Sequence, residues 1–183
     1  MAKIKIIEYE ESTGRLKEIY DEIIKKRGKL AEVHKIQSLR PESIVKHMDL
    51  YLEIMFSKSE LSRAEREMMA VITSVCNTCK YCQTHHAEAL LHYWKDENRI
   101  KQFIQDFRSV GLNTRELALC EFASVITKNP DYPDAVGILR KEGLSDAAIL
   151  DATLVVAYFN FVNRIVLTLG VETNEIEKTG YVY

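Results

Sequence analysis

The stretch SRAEREMMAVITSVCNTCKYCQTHH, residues 62–86, decides the fold. Ser62 with Glu65 three residues on has the form of a capping box. Met68, Met69, Val71, Ile72 and Val75 follow at helical spacing. A second helical pattern runs over about 79–93. Asn77 or Thr78 is expected to cap that second helix, which places Cys79 in its first turn. Glu67 precedes Cys79 by twelve residues. In one unbroken helix that separation is about 18 Å and allows no contact. If the chain instead reverses near Cys76 and Asn77, residues 67 and 86 are equidistant from the bend, and Glu67 and His86 face each other across an antiparallel hairpin.

Cys79 and Cys82 are three residues apart, so on a helix their Cα atoms are separated by about 5 Å, within the range of a disulfide. The pair can open and close a bond without refolding. Free N–H groups and the helix dipole at the start of the second helix stabilise a thiolate at Cys79. His86 lies one turn beyond Cys82 and can reach that thiol directly or through one water. Carboxylate, imidazole and thiol together form a relay that takes a proton from a nucleophile and returns it to a leaving group. Tyr81, between the cysteines, reads as a packing or hydrogen-bonding residue, because a phenol of pKa about 10 transfers protons poorly at neutral pH. His85 reads as a support behind the relay. His34, His47, His92 and Cys120 have no partner that spacing identifies and are taken as packing or surface residues.

Outward from this segment the chain is helical. Leu16, Ile19, Tyr20, Ile23 and Ile24 share one face, followed by Lys25, Lys26 and Arg27 and a stop at Gly28. Pro41 opens a helix with an apolar stripe of Ile44, Val45, Met48, Leu52, Met55 and Phe56. Further helical patterns cover about 97–108, 114–128, 134–142 and 145–169. Residues 1–12 read as an extended arm and 171–183 as a tail, around a single helical domain spanning 1–183. With only 7 Gly and 3 Pro in 183 residues, about half the usual share, turn-rich sandwiches, collagen-like repeats and disordered linkers are disfavoured. Leu61-Ser62-Arg63-Ala64 and Leu144-Ser145-Asp146-Ala147 are a weak internal echo, a helical unit repeated once. The second copy is apolar nearly all round and needs cover on every side, from the domain or from a second subunit.

The charge balance, 25 basic against 27 acidic residues, gives no global pull towards nucleic acid or an anionic membrane. Three of the four cysteines crowd into residues 76–82, which is no secreted disulfide framework, and the first residues lack the apolar core of a signal peptide. A cytoplasmic protein with reduced thiols is expected. Ile149 to Val171 has the length of a membrane span, but Asp151, Asn160, Asn163 and Arg164 interrupt it.

Taken together, Glu67, Cys79, Cys82 and His86 resemble the Glu-x11-Cys-x-x-Cys-x3-His signature of the alkyl hydroperoxidase D and carboxymuconolactone decarboxylase superfamily. Leu112-Asn113-Thr114, Gly143-Leu144-Ser145, Asn163-Arg164 and Tyr181-Val182-Tyr183 look like its peroxidase-related branch, so the resemblance covers residues 3–183. It implies an all-α helical bundle of the AhpD type, assembled as a homo-oligomer, commonly a trimer or hexamer, with a dimer also open. It also implies a hydroperoxide substrate and a dihydrolipoyl or related dithiol reductant, with no haem, flavin or metal. In that scheme Cys82 is the peroxidatic thiolate, Cys79 the resolving thiol, and Glu67 with His86 the proton relay. The dipole argument by itself favours Cys79 as the more acidic thiol; Cys82 takes the role because it is the cysteine beside His86. AhpD proper has a histidine between its cysteines where this chain has Tyr81, and Cys76 is an extra thiol. Lactone-decarboxylating members need no paired thiols.

Two other readings use the same residues. Cys76, Cys79, Cys82 and His86 form a Cys3His set that zinc accepts, although four ligands along one helix project in a row and do not surround an ion. Alternatively, disulfide formation alters oligomer contacts without turnover, which makes the protein a redox sensor.

Overall fold

The computed structural model describes residues 2–174. All regular structure among them is helical. The elements are α1 (Gly14–Arg27), α2 (Glu32–Lys35), α3 (Pro41–Phe56), α4 (Arg63–Cys76), α5 (Lys80–Trp94), α6 (Glu97–Gln105), α7 (Thr114–Lys128), α8 (Ala135–Lys141) and α9 (Asp146–Leu169), with 3-10 turns at Tyr9–Glu11 and Phe107–Ser109. This is the all-α class read from the sequence. The Tyr181-Val182-Tyr183 end and all but the first residues of the 171–183 tail lie outside the described residues.

Local chemistry sets most of the boundaries. The Gly28 N–H donates to Ile24 O at a φ of 81°, a left-handed conformation that glycine adopts without a Cβ clash, directly after three cations in the last turn of α1. Pro41 is the first residue of α3, where its missing N–H leaves no bond unmade. The capping box at α4 is complete: Glu65 N donates to Ser62 Oγ (3.2 Å) and Ser62 N to Glu65 Oε2 (2.7 Å).

Two expectations are corrected, and one short helix was not expected. The arm over residues 1–12 is not extended throughout, since Tyr9–Glu11 coils into a 3-10 turn fastened by Ser12 Oγ, which donates to Tyr9 O. Helix α2 is too short to show a periodic apolar pattern. The pattern over 97–108 is broken at Asp106, which takes an extended φ of −155° and caps the following turn by accepting from Arg108 N.

The described chain forms two compact units, one of residues up to Glu53 and from Arg164 on, the other Ile54–Asn163. In the first, Leu16, Ile19, Tyr20, Ile23 and Ile44 form a buried cluster against which Ile7, Tyr9, Leu30, Val45 and Met48 pack. Tyr20 donates its hydroxyl to Ile7 O, and burial pushes its pKa up to about 12. In the second unit α4 packs against α5 and α7, burying Met68, Met69, Val71, Ile72, Leu90, Leu119 and Phe122. Buried Arg66 fastens the segment before α4 by donating to Ile54 O, Ser57 O and Leu61 O. The three carbonyls spread its charge at a place where an unpaired guanidinium would cost several kcal/mol, of order 3–5.

The internal echo has a structural counterpart at the helix starts. Ser145 Oγ accepts from Ala148 N just before α9, as Ser62 Oγ accepts from Glu65 N before α4. The copies then diverge: α4 ends at Cys76 and the chain reverses, whereas α9 continues unbroken to Leu169. By length and composition α9 is apolar enough to cross a membrane. Its Ala148, Ala152, Val155, Val156 and Phe159 are buried, while Leu150, Leu154 and Phe161 are exposed.

Candidate active site

The reversal after α4 is a Schellman motif. Cys79 N donates to Ser74 O (2.9 Å) and Thr78 N to Val75 O (3.0 Å), with Thr78 left-handed at φ 56° in the position glycine usually takes. The residue that closes α4 is also the residue that opens α5. Cys79 is itself the N-cap of α5, which corrects the expectation that Asn77 or Thr78 caps it. The physical reason lies in the side chains. Thr78 Oγ1 turns back to Asn77 O, and Asn77 Nδ2 donates to Asn160 Oδ1 and Asn163 Oδ1, both at 3.0 Å. Gln83 Nε2 adds a second donor to Ser74 O, which ties the first turn of α5 to the last turn of α4.

This tight reversal brings Glu67 and His86 together across the α4/α5 hairpin. His86 Nδ1 lies 2.7 Å from Glu67 Oε2. The acceptor is a carboxylate, so Nδ1 carries the hydrogen and Nε2 keeps the basic lone pair. The His86 and Phe159 rings pack edge to face, with centroids 4.4 Å apart. Glu67 is fully buried, and its other oxygen, Oε1, accepts from Arg63 Nε (2.8 Å) and Arg63 Nη2 (2.5 Å). Burial pushes the Glu67 carboxyl up, but the charges and hydrogen bonds of His86 and Arg63 outweigh it and hold it below the ordinary carboxylate range. Arg63 in turn lies over the Phe56 ring at 3.7 Å. Arg63 was missed in the sequence, although its spacing of four residues before Glu67 on one helix was the available signal.

Cys79 and Cys82 are both buried, and their thiols are hydrogen-bonded to each other. No disulfide joins them. The Cys82 thiol donates to Cys79 and lowers its pKa; the Cys82 backbone N–H assists, and burial opposes them. Cys82 is pushed up, first by donating to Cys79 and then by burial. Cys79 is therefore the first of the pair to ionise, as its place at the helix start implies. His86 makes no direct hydrogen bond to Cys82, so a bridging water or the substrate must complete the path between them.

Tyr81 and His85 pack on each other with ring centroids 4.2 Å apart, and His85 Nδ1 donates to Tyr81 O (2.7 Å). Cys76 Sγ donates to Ser124 Oγ on α7 (3.5 Å). Among the described residues no three His, Cys, Asp or Glu side chains gather as the ligands of a metal ion would, so the Cys3His set does not converge.

Other proteins share this fold and part of this sequence. Residues 43–124 match the carboxymuconolactone decarboxylase family model. A peroxidase-related protein from Silicibacter sp. TM1040 is 26% identical, with a TM-score of 0.81 over 88% of this chain and 86% of that one. A protein from Ralstonia eutropha JMP134, described as an alkylhydroperoxidase AhpD core and peroxidase-related, is 23% identical, with a TM-score of 0.85 over 97% and 94%. The debrominase Bmp8 shares the fold at 18% identity, with a TM-score of 0.74 over 90% and 88%. No curated protein matches the chain. The chain is thus similar to the carboxymuconolactone decarboxylase family over residues 43–124 and shares its all-helical fold with AhpD-like, peroxidase-related proteins.

Proposed function

We propose that the protein is a thiol-dependent peroxidase that cycles between the Cys79/Cys82 dithiol and its disulfide. The observation that carries this reading is the 2.7 Å contact from His86 Nδ1 to Glu67 Oε2, on the same helix as two hydrogen-bonded thiols. His86 Nε2, which carries the lone pair because Nδ1–H is bonded to Glu67, takes the proton of Cys82 through a bridging water. The Cys82 thiolate attacks the terminal, hydroxyl-bearing oxygen of a hydroperoxide; the O–O bond breaks, and the imidazolium proton goes to the departing alkoxide to give the alcohol and Cys82 sulfenic acid. The Cys79 thiol condenses with the sulfenic acid, forming the disulfide and releasing water. An external dithiol, of lipoyl or similar type, reduces that disulfide and is itself oxidised, which balances the two electrons taken by the peroxide. Glu67 stabilises the imidazolium, and Arg63 keeps Glu67 ionised.

This reading also takes the protein to be cytoplasmic and a homo-oligomer. The exposed Leu150, Leu154 and Phe161 of α9 would meet a second copy. A redox sensor has the same thiols but no turnover, and steady-state kinetics separate the two. With tert-butyl hydroperoxide and dihydrolipoamide the reduced protein is expected to consume peroxide over many turnovers, and Cys82→Ser to abolish this. Oxidation of Cys82 without catalytic recovery by any dithiol would overturn the enzyme reading in favour of the sensor.

A further inference from the structure

We propose that Asn163 acts directly on the reactive pair, its side-chain N–H donating to Cys82 Sγ and holding negative charge on that sulfur. The inference rests on the thiol-pair reading and adds a group from a different helix, α9.

Asn163 is fully buried at the end of the hairpin: it donates to Ser74, whose carbonyl accepts from Cys79 N, and its amide borders Cys82. Which atoms the amide turns to that sulfur follows from a chain of side-chain amides. Asn160 Nδ2 bonds Val156 O (3.0 Å) and, more weakly, Thr127 Oγ1 (3.3 Å). A backbone carbonyl only accepts, so Asn160 must turn its Oδ1 towards Asn77. Asn77 then donates through Nδ2, and its second N–H meets Asn163 at the oxygen, Oδ1, also at 3.0 Å. With Oδ1 occupied, Asn163 presents only N–H groups on its other side.

Ser74 gives the same answer independently. Its hydroxyl is spent on Ala70 O (2.8 Å), so Ser74 Oγ accepts from Asn163 Nδ2 at 3.3 Å. One of the two Asn163 N–H groups is thus taken by Ser74, and the second is left for Cys82. Every hydrogen-bonding atom of the amide has a partner, and no flipped arrangement satisfies the carbonyl of Val156. A fixed donor at a buried sulfur stabilises the thiolate over the thiol, because only the charged form gains a strong acceptor.

The ionised pair carries one negative charge shared between two sulfurs. The N-terminus of α5 favours Cys79, and Asn163 draws the charge back to Cys82, the sulfur beside His86. Titratable and charged groups on the same hairpin include Cys79 at the N-cap, Lys80, Tyr81, His85 and His86 on α5, and Glu67 with Arg63 on α4, which meet His86.

The test is an NMR titration of reduced protein carrying 13Cβ-labelled cysteine, in the Cys79→Ser background so that Cys82 titrates alone, with Cys82→Ser used to assign its signal. Asn163→Ala is expected to raise the Cys82 midpoint by about one pH unit, which leaves roughly one tenth of the thiolate at neutral pH. The rate constant for peroxide at pH 7 should fall about tenfold and recover at alkaline pH, a recovery that a merely structural role does not give. A folded Asn163→Ala protein with an unchanged Cys82 midpoint would overturn the proposal. A second measurement leaves residue 163 intact: the Asn163 side-chain N–H resonance should move with the Cys82 midpoint, and a constant resonance would equally overturn it. Neither titration involves peroxide, so a protein that fails to turn over peroxide fails the functional reading alone.

Discussion

Glu67 is a buried carboxylate that three donors keep ionised, and the consequences can be measured one residue at a time. Glu67→Gln keeps the shape and removes the charge that stabilises the imidazolium; peroxide reduction at neutral pH is expected to fall by about 100-fold. It also removes a buried charge from the Arg63–Glu67–His86 cluster, and is expected to cost about 3 kcal/mol in urea unfolding. The folded pKa of Glu67 lies below the unfolded value, so its stabilising contribution is fully present above the ordinary carboxylate range and is lost as pH falls through the depressed folded value. Wild-type stability should therefore drop in acid more steeply than that of Glu67→Gln. The pairing of Glu67 with His86 was legible from equal distances to a bend, which needs only the position of the turn. Asn163 was not legible as a partner of Cys82, because 81 positions separate them and only the packing of α9 against the hairpin end closes that gap.

Helix α4, the three-residue reversal over Asn77, Thr78 and Cys79, and α5 form the element that positions every group of the proposed relay. Thr78 is β-branched and left-handed at φ 56°, which costs about 1–2 kcal/mol relative to glycine at the same place. Thr78→Gly is expected to raise stability by about 1 kcal/mol in thermal or urea unfolding, less if the freer unfolded chain offsets part of the gain. Ser62→Ala removes the cap of α4 and should cost about 1 kcal/mol by the same measurement. The helices were legible here because capping residues and apolar spacing agree with the tertiary structure. The cap of α5 was misassigned because Asn77, a good capping residue by type, is drawn into bonds with Asn160 and Asn163 that no local pattern encodes.

At the scale of the whole molecule, the unit that holds α1 contains a buried titratable group remote in sequence from the hairpin. His47 accepts from Gln37 Nε2 (2.7 Å) through Nδ1, and burial lowers its pKa to about 4. The unfolded chain therefore binds a proton near pH 6.5 that the folded chain refuses until about pH 4, and stability is lost progressively as pH falls through that window. The loss is roughly 3 kcal/mol between pH 7 and pH 4, and His47→Gln should remove it from a urea-unfolding series. Nothing in the spacing of His47 distinguished it from a surface histidine, because its burial depends on how α3 packs. The chemistry proposed for the whole molecule is peroxide reduction by a dithiol, and its decisive measurement is single-turnover titration of fully reduced protein with tert-butyl hydroperoxide, followed by mass spectrometry of the cysteines and assay of the alcohol. One equivalent of peroxide should yield one equivalent of tert-butanol and one Cys79–Cys82 disulfide, with Cys79→Ser stopping at a Cys82 sulfenic acid. Unconsumed peroxide, or oxidation at Cys76 or Cys120 with the 79/82 pair left reduced, would contradict it.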